Sequence, residues 1–193
     1  MSHVIDLPQP DAPPTPYFDV AYARKLRPLQ DVERYPDADI EDARQEAEEK
    51  LEQACGVAFV PRTAHERLDG PGTGDLLVPH PRLLGVTGLE IDGEPASTDD
   101  LVVYHDGRVH RPGGWGHGRQ SILITYVHGF EELPLEVKRA ARLLAKTLLV
   151  GSGIDERAAE VRTDAGVLRL AGGTFGIPAV DAIVDRYRQP TVA

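Results

Sequence analysis

The chain has 193 residues, of which 41% are hydrophobic and 27% are charged, an ordinary composition for one well-cored globular domain. No apolar stretch reaches the roughly 18 residues that a membrane-spanning helix needs, and the first residues lack the basic and apolar regions of a signal peptide, so we expect a protein that is cytosolic when it is made. The formal net charge is -10, which disfavours nucleic-acid binding by the molecule as a whole.

The N-terminal residues predict an extended arm. Residues 8–16, PQPDAPPTP, contain five prolines and no apolar pattern, which is typical of a solvated segment. The following residues, YFDVAYARKLRPL, regain aromatic and aliphatic side chains. They dock either on the chain's own domain or on a neighbouring subunit, and both alternatives stay open. We therefore predict an arm over 1–30, a main domain over 31–176, and a C-terminal helix and tail over 177–193.

An acidic amphipathic helix is predicted over about 39–55. Asp39 stands at its N-cap position and Gly56 ends it. Its apolar positions recur every three or four residues and are mostly small, so a partner helix can approach closely: Ile40, Ala43, Ala47, Leu51 and Ala54. The single cysteine, Cys55, excludes an internal disulfide and any multi-cysteine zinc site, and its place in this helix favours burial over reactivity.

Residues 57–129 change to short alternating or aliphatic runs that are separated by turn residues. The runs begin with VAFVPRTAHERLDG and end with SILITYVHG. This pattern predicts five or six strands of a small antiparallel β-subdomain, inserted between the acidic helix and a second helix.

The stretch YHDGRVHRPGGWGHGR, residues 104–119, holds three histidines and five glycines, a density that raises the question of a metal or phosphate site. A metal ion there would lie beside the Arg108 guanidinium, and a loop this rich in glycine cannot hold His117 rigidly enough to close a site. Trp115 is better explained as an apolar plug that anchors the loop. A structural hairpin is therefore favoured, and no metal ligand is predicted.

The turn of this hairpin sets the predicted register. The dipeptide Asp-Gly at 106–107 favours a two-residue turn because it tolerates the positive φ angles that such turns require. That turn places His105 opposite Arg108 and Val103 opposite His110. Both histidines then share one face of the hairpin with the arginine.

The second helix is predicted over about 134–150, with Pro134 in its first turn and Gly151 at its end. Apolar residues cover more than half of its circumference, so it is the central helix of the fold. Three basic residues follow one another at four-residue spacing: Lys138, Arg142 and Lys146. Their stripe is either a face toward a DNA channel or an ion-pair face toward the acidic helix, at Glu41, Glu48, Glu49 or Glu52.

The C-terminal part predicts a hairpin about 164–166 and a short helix over about 178–188. One side of this helix is apolar, with Val180, Ile183, Val184 and Tyr187, and the rest of its surface includes Arg186 and Arg188. About 10 residues are marginal as an isolated helix in water, so the segment must dock on something. It packs either on its own core or on a partner.

Catalytic signatures are weak. The segment GGTFG at 172–176 lacks the Lys-Ser/Thr pair of a phosphate-binding loop, and VGSGI at 150–154 is no nucleophile elbow because glycines flank its serine directly. We therefore predict no catalytic residue and no cofactor. The expected fold class is α+β, a small helical bundle with an inserted antiparallel β-subdomain, and the chain is interpreted as a scaffold and not as an enzyme.

Four segments in order carry a resemblance to a known family. An acidic helix ending ACGVAF precedes LDGPGTGDLLVPHPRLLGVTGLEIDGEP, then ILITYVHGFEELPLEVKRAARLLAKTLL, and the chain ends VDAIVDRYRQPTVA. This order resembles the head-to-tail connector (adaptor) proteins of tailed phages and actinobacterial prophages, over roughly residues 31–193. The Pro-rich arm and the Gly-rich RPGGWGHGR loop depart from that pattern.

The resemblance implies a structural virion protein without catalytic activity. Twelve copies would form a ring beneath the portal, join the capsid to the tail through contacts with the portal and with stopper or tail proteins, and leave a channel for double-stranded DNA. The protein would assemble in the host cytoplasm and end in the virion neck, away from any membrane. It also implies that the C-terminal helix grips the portal, through Val180, Ile183, Val184, Arg186, Tyr187 and Arg188. Two alternatives stay open: another neck or tail protein, such as a stopper or tail terminator, and a small metal-binding hydrolase.

Overall fold

The structure is a computed structural model that describes residues 15–151, 160–163, 166–169 and 173–188, the two four-residue segments by their backbone alone. The chain divides into two compact units. We call residues 57–132 the β unit, and residues 16–56 together with the described residues from 133 onward the helical unit. The fold is α+β with an inserted antiparallel β-subdomain, as predicted. No helix in the described part of the chain is long and apolar enough to cross a membrane.

The β unit contains two antiparallel sheets. Its strands are β1 (Arg62–Pro71), β2 (Asp75–Leu77), β3 (Leu83–Ile91), β4 (Glu94–Pro95), β5 (Val102–Val103), β6 (Arg108–His110) and β7 (His117–His128). One sheet has the order β1-β7-β3-β4 and the other has the order β2-β6-β5. The long strand β7 supplies the middle of the core, because Ile122, Ile124 and Tyr126 alternate along it and are fully buried.

Trp115 holds the Gly-rich loop on this core. Its side chain is only 1% exposed, and its indole Nε1 donates hydrogen bonds to the backbone oxygens of Gly74 at 3.0 Å and Val109 at 3.2 Å. A buried indole needs such acceptors, because an unpaired N–H in an apolar core is costly. The prediction that this tryptophan is an apolar plug is confirmed.

The hairpin register predicted at 106–107 is wrong by one residue. The structure pairs Val103 with Val109 and Val102 with His110, and the Tyr104 amide donates to the Arg108 oxygen at 2.9 Å. The turn therefore has three residues, 105–107, and ends at a glycine with φ +89°.

Burial explains the shift. In the observed register Val109 is fully buried and pairs with Leu76 on its other side, so Val103 and Val109 both face the core. A slip of one residue would turn Val109 away from Val103, because successive side chains of a strand point to opposite faces. His105 lies exposed in the turn and does not share a face with Arg108, whereas His110 does.

The helical unit contains α1 (Val20–Ala23), α2 (Asp37–Cys55), α3 (Leu135–Val150) and α4 (Pro178–Tyr187), with a hairpin of β8 (Glu160–Thr163) and β9 (Gly166–Arg169). The antiparallel pairing of β8 with β9 agrees with the hairpin predicted about 164–166, of which residues 164 and 165 lie outside the described part of the chain. Helix α2 ends as predicted at Gly56, whose φ of 68° is left-handed. It begins two residues before the predicted N-cap.

The earlier start of α2 comes from the chain that precedes it. The Arg24 guanidinium contacts the Asp37 carboxylate and donates hydrogen bonds to the backbone oxygens of Leu29 at 2.7 Å and Tyr35 at 3.1 Å. The predicted cap, Asp39, instead joins Asp37 in the first helical turn, where negative charge is favourable.

Residues 16–35 pack within the helical unit. The Tyr17 amide donates to Glu48 Oε1 at 2.8 Å, and its hydroxyl donates to Glu52 Oε1 at 2.5 Å. Phe18 and Leu29 are buried in the same unit. Of the two alternatives for this segment, the structure therefore has the one in which it docks on its own chain.

Helices α2 and α3 pack against each other through small and aliphatic residues, and α4 contacts both. The buried side of α3 is formed by Val137, Ala140, Ala141, Leu144 and Ala145. Cys55 at the end of α2 is also buried, and burial raises the pKa of its thiol to about 11. The cysteine therefore stays protonated and packs as a small apolar side chain, as predicted.

We expect Trp115→Ala to lower the free energy of unfolding of the β unit by about 3–5 kcal/mol, because it leaves a cavity and removes the two hydrogen bonds that the indole donates to backbone oxygens. Urea unfolding followed by circular dichroism measures the change. Tyr104→Ala, which removes an exposed aromatic residue beside β5, is the control and should cost about 1 kcal/mol or less. Equal losses in the two variants would contradict the anchoring role of Trp115.

Candidate interaction surfaces

The structure divides the six predicted portal-binding residues between the two sides of α4. Val180, Ile183 and Val184 are buried within the helical unit, as expected if the helix packs on its own core. Arg186 and Arg188 are exposed, and Tyr187 is half-buried. Only the arginines and part of the tyrosine are thus available to a partner while α4 is docked.

Polar contacts hold α4 near both of its ends. Before the helix, the Phe175 amide donates to Asp181 Oδ1 at 2.8 Å. At its far end, Arg186 Nη1 donates to Glu136 Oε2 and the Tyr187 hydroxyl donates to Glu136 Oε1, both at 2.7 Å. These two donors, Tyr187 foremost, hold the pKa of the Glu136 carboxyl below its usual range. Helix α4 is therefore fixed on α3 by a charged contact as well as by its apolar side.

The predicted basic stripe meets an aromatic ring. Around the Tyr22 ring centroid lie Arg142 Cζ at 4.0 Å, Lys138 Nζ at 4.9 Å and, from outside the stripe, Lys25 Nζ at 5.4 Å. Arg142 Nη1 also donates to the Tyr22 backbone oxygen at 3.3 Å. We call these four residues the Tyr22 cluster. Lys146 is not among the cations that contact the Tyr22 ring.

No ion pair joins Lys138, Arg142 or Lys146 to a carboxylate of the described residues. Of the four glutamates predicted as their partners, Glu48 pairs with Arg44 at 3.4 Å and accepts from Tyr17, and Glu52 also accepts from Tyr17. Lys138 instead lines a cleft of about 390 Å³ together with Glu41 and Arg44. Lys138 is thus the cation of the stripe that borders this cleft, and Asp19 and Glu41 line the cleft with it without an ion pair to it.

A second cleft of the helical unit is acidic. It has a volume of about 250 Å³ and is lined by Asp39, Asp42, Ala43 and Glu46 of α2 and by Leu148 and Leu149 of α3. We call it the acidic cleft. Glu46 forms an exposed i,i+4 pair with Lys50 at 3.0 Å, while Asp39 and Asp42 have no ion pair within the described residues.

The outer face of the sheet β2-β6-β5 exposes large apolar side chains. Leu77 is 71% exposed, and Val102 and Tyr104 are exposed on the same face. Arg108 stacks over the Tyr104 ring at 4.2 Å, which covers part of this apolar surface. The sequence did not indicate this apolar face, because the predicted register places Tyr104 and Arg108 on opposite faces of the hairpin.

The histidines of the predicted hairpin do not converge. His105 and His117 are exposed, and His110 Nδ1 lies 2.7 Å from Asp75 Oδ1. Within the described residues there is no group of three or more histidine, cysteine, aspartate or glutamate side chains that could hold a metal ion.

A different histidine pair is packed in the β unit. The rings of His80 and His128 stack at 4.2 Å, and His80 Nδ1 lies 2.7 Å from the Tyr126 hydroxyl. Burial, with the neighbouring His80 and Arg62, lowers the pKa of His128 to about 4, and burial also raises the pKa of Tyr126. Both groups are therefore neutral near pH 7. As pH falls from about 6.5 toward 4, the unfolded chain binds a proton at His128 before the folded protein does, so the free energy of unfolding falls over this range.

No protein-family model matches the chain, and no curated protein matches it. Solved structures match it in fold. One is a chain of the virion of a native gene transfer agent (GTA) particle, with 18% sequence identity, a TM-score of 0.62 and 92% of each chain covered.

Two further matches come from particle necks. One chain belongs to the neck of an empty GTA particle computed with C6 symmetry, with 17% identity, a TM-score of 0.60 and 92% of each chain covered. Another belongs to the neck of a native GTA particle computed with C12 symmetry, with 17% identity, a TM-score of 0.57, and coverage of 94% of this chain and 98% of that one. At these identities the likeness establishes a shared fold along almost the whole chain.

We expect Glu136→Gln to loosen α4, because it removes the carboxylate that accepts from Arg186 and Tyr187. Hydrogen exchange of the peptide 177–188 at pH 7 should become about two- to fivefold faster, while exchange in the β unit stays unchanged. In the wild type the same contact is present above the ordinary pKa of a glutamate and is lost as pH falls through the lowered pKa of Glu136. Glu33→Gln, at an exposed position of the helical unit, is the control.

Proposed function

We propose that the chain is a structural protein of the neck of a phage-like particle, and more specifically a head-to-tail connector (adaptor). Twelve copies form a ring beneath the portal, join the capsid to the tail through contacts with the portal and with stopper or tail proteins, and leave a channel for DNA. The observation that carries the proposal is the fold shared over more than nine-tenths of the chain with neck chains of GTA particles, one of them in a neck computed with C12 symmetry.

The charge of the molecule supports a channel. DNA that passes through a ring must slide, and many lysine or arginine contacts to phosphate would hold it in place. A net charge of -10 leaves little general attraction for the duplex. The proposed role is mechanical, with no catalytic residue and no cofactor, and the protein acts in the virion neck after assembly in the host cytoplasm.

Imaging of particles tests the role. A small folded domain fused before Met1 should add twelve copies of extra density in a ring directly below the portal, absent from particles with the untagged chain. Density at the tail-proximal end of the neck would instead identify a stopper or tail terminator. Particles without any added density would contradict a place in the neck.

The exposed face of α4 is the proposed portal contact. Val180, Ile183 and Val184 hold the helix on its own unit, which leaves Arg186 and Arg188 to face the portal. This arrangement needs no detachment of the helix. The side chain of Arg186 is 64% exposed, so its pair with Glu136 adds little to stability and the residue can be replaced without unfolding the unit.

We expect the double variant Arg186→Ala, Arg188→Ala to keep its melting temperature within about 2 °C and to leave heads unjoined to tails. Electron microscopy of producing-cell lysates counts the joined particles. Asp185→Ala, at a neighbouring exposed position of the same helix, is the control and should join heads to tails normally. Normal joining by the double variant would place the portal contact elsewhere.

A further inference from the structure

The Tyr22 cluster gathers positive charge in an acidic protein. Lys25, Lys138 and Arg142 surround one ring, and none of them has a carboxylate partner among the described residues. The Arg142 Nε atom is buried without a hydrogen-bond partner in the described structure. Cations held in a fixed arrangement without their own counter-charge form a surface suited to an anionic partner.

The acidic cleft carries the complementary charge on the other side of α2. At 3.6 residues per turn, the side that bears Asp39, Asp42 and Glu46 lies roughly 160° around the helix from the side that bears Glu41 and Arg44. Glu41 and Arg44 line the cleft next to Lys138 of the Tyr22 cluster. The helical unit therefore presents the cations of the Tyr22 cluster, which form no ion pair with the described residues, and the acidic cleft in different directions.

A ring of identical subunits needs such a pair of surfaces. Its contact is head-to-tail, so each subunit offers two different, mutually complementary faces to its two neighbours. Copies that each carry a net charge of -10 repel one another, and the contact between them must overcome this by placing cations of one copy against carboxylates of the next.

We propose that the Tyr22 cluster of one subunit binds the acidic cleft of the next copy, and that this is the subunit contact of the neck ring. The inference rests on the proposed function and adds to it the residues that join the subunits. Lys25 and Lys138 face Asp39 and Asp42 of the neighbour, and Leu148 and Leu149 add apolar area to the same contact. A second copy fits the cluster better than a DNA backbone, because its acidic cleft brings the apolar side chains Leu148 and Leu149 together with carboxylates, whereas a DNA backbone brings phosphate charge alone.

Charge reversal on each side tests the contact. The cluster variant is Lys25→Glu with Lys138→Glu, and the cleft variant is Asp39→Lys with Asp42→Lys; Arg142 is left in place because it packs on Tyr22. Each variant alone sets like charges against each other, so the fraction of particles with a neck ring should fall at least about tenfold. Circular dichroism confirms that each variant chain is folded.

Co-expression of the two variants provides the decisive test of the contact. When the two variants are expressed together, the acidic cluster of one meets the basic cleft of the other, and the basic cluster of the second meets the acidic cleft of the first. Rings of alternating subunits should therefore form, and a chain that carries all four substitutions should also form rings. Failure of both to restore rings from folded chains overturns the proposed contact, as does normal assembly by either variant alone.

A control variant, the wild-type particles and a DNA-binding measurement separate this proposal from the alternatives. Arg27→Glu with Arg139→Glu reverses two exposed cations from the same two segments as the cluster and should leave ring formation unchanged. If wild-type particles show a ring and all variants assemble normally, only the contact is wrong; if wild-type particles show no ring of this chain, the proposed function itself fails. Retardation of duplex DNA near physiological salt by the wild type, lost in the cluster variant, would make the cluster a DNA site and overturn the subunit contact.

Discussion

The β unit depends on β7, which is paired along most of its length with β1 on one side and β3 on the other. This double pairing fixes which of its side chains face inward, and Ile122, Ile124 and Tyr126 are accordingly buried at every second position. A shift of β1 by one residue would turn Thr63, His65 and Arg67 toward the core in place of Ala64 and Leu68, so the register is strongly determined. The second sheet then has to fit this core, which it does through Val109 and the plug of Trp115.

The end of α2 and the start of α4 could be predicted because their signals are local, whereas the start of α2 depends on the contact of Asp37 with Arg24 and was predicted two residues too late. Gly56 ends α2 in a left-handed conformation, and the proline that begins α4 occupies the position where a missing N–H costs nothing. The hairpin register could not be predicted in the same way. The Asp-Gly signal reports only the preference of two turn residues, whereas the observed register is decided by the burial of Val109 against Leu76, more than thirty positions earlier in the chain.

The candidate surfaces also depend on contacts between distant parts of the chain, which local sequence signals do not report. The spacing of Lys138, Arg142 and Lys146 shows that they share a face of a helix, but it does not indicate what lies opposite. Tyr22 contacts two of these three side chains because the hydrogen bonds of Tyr17 dock the segment that contains both tyrosines on α2. Those hydrogen bonds join positions that are separated by 31 and by 35 residues in the sequence. Periodicity likewise identifies the apolar side of α4 without indicating whether its own chain or a partner covers it.

In the connector proposed above, the contacts of α4 would have a mechanical consequence. Tension from the C-terminal side would reach the hydrogen bond from Arg188 Nη2 to Thr174 Oγ1 first, and then Arg186 and Tyr187, which both contact the Glu136 carboxylate on α3. Behind them, Val180, Ile183 and Val184 are buried and would share the load. Force on this end of a connector would therefore be spread over polar and apolar contacts of α4 and would not fall on a single residue.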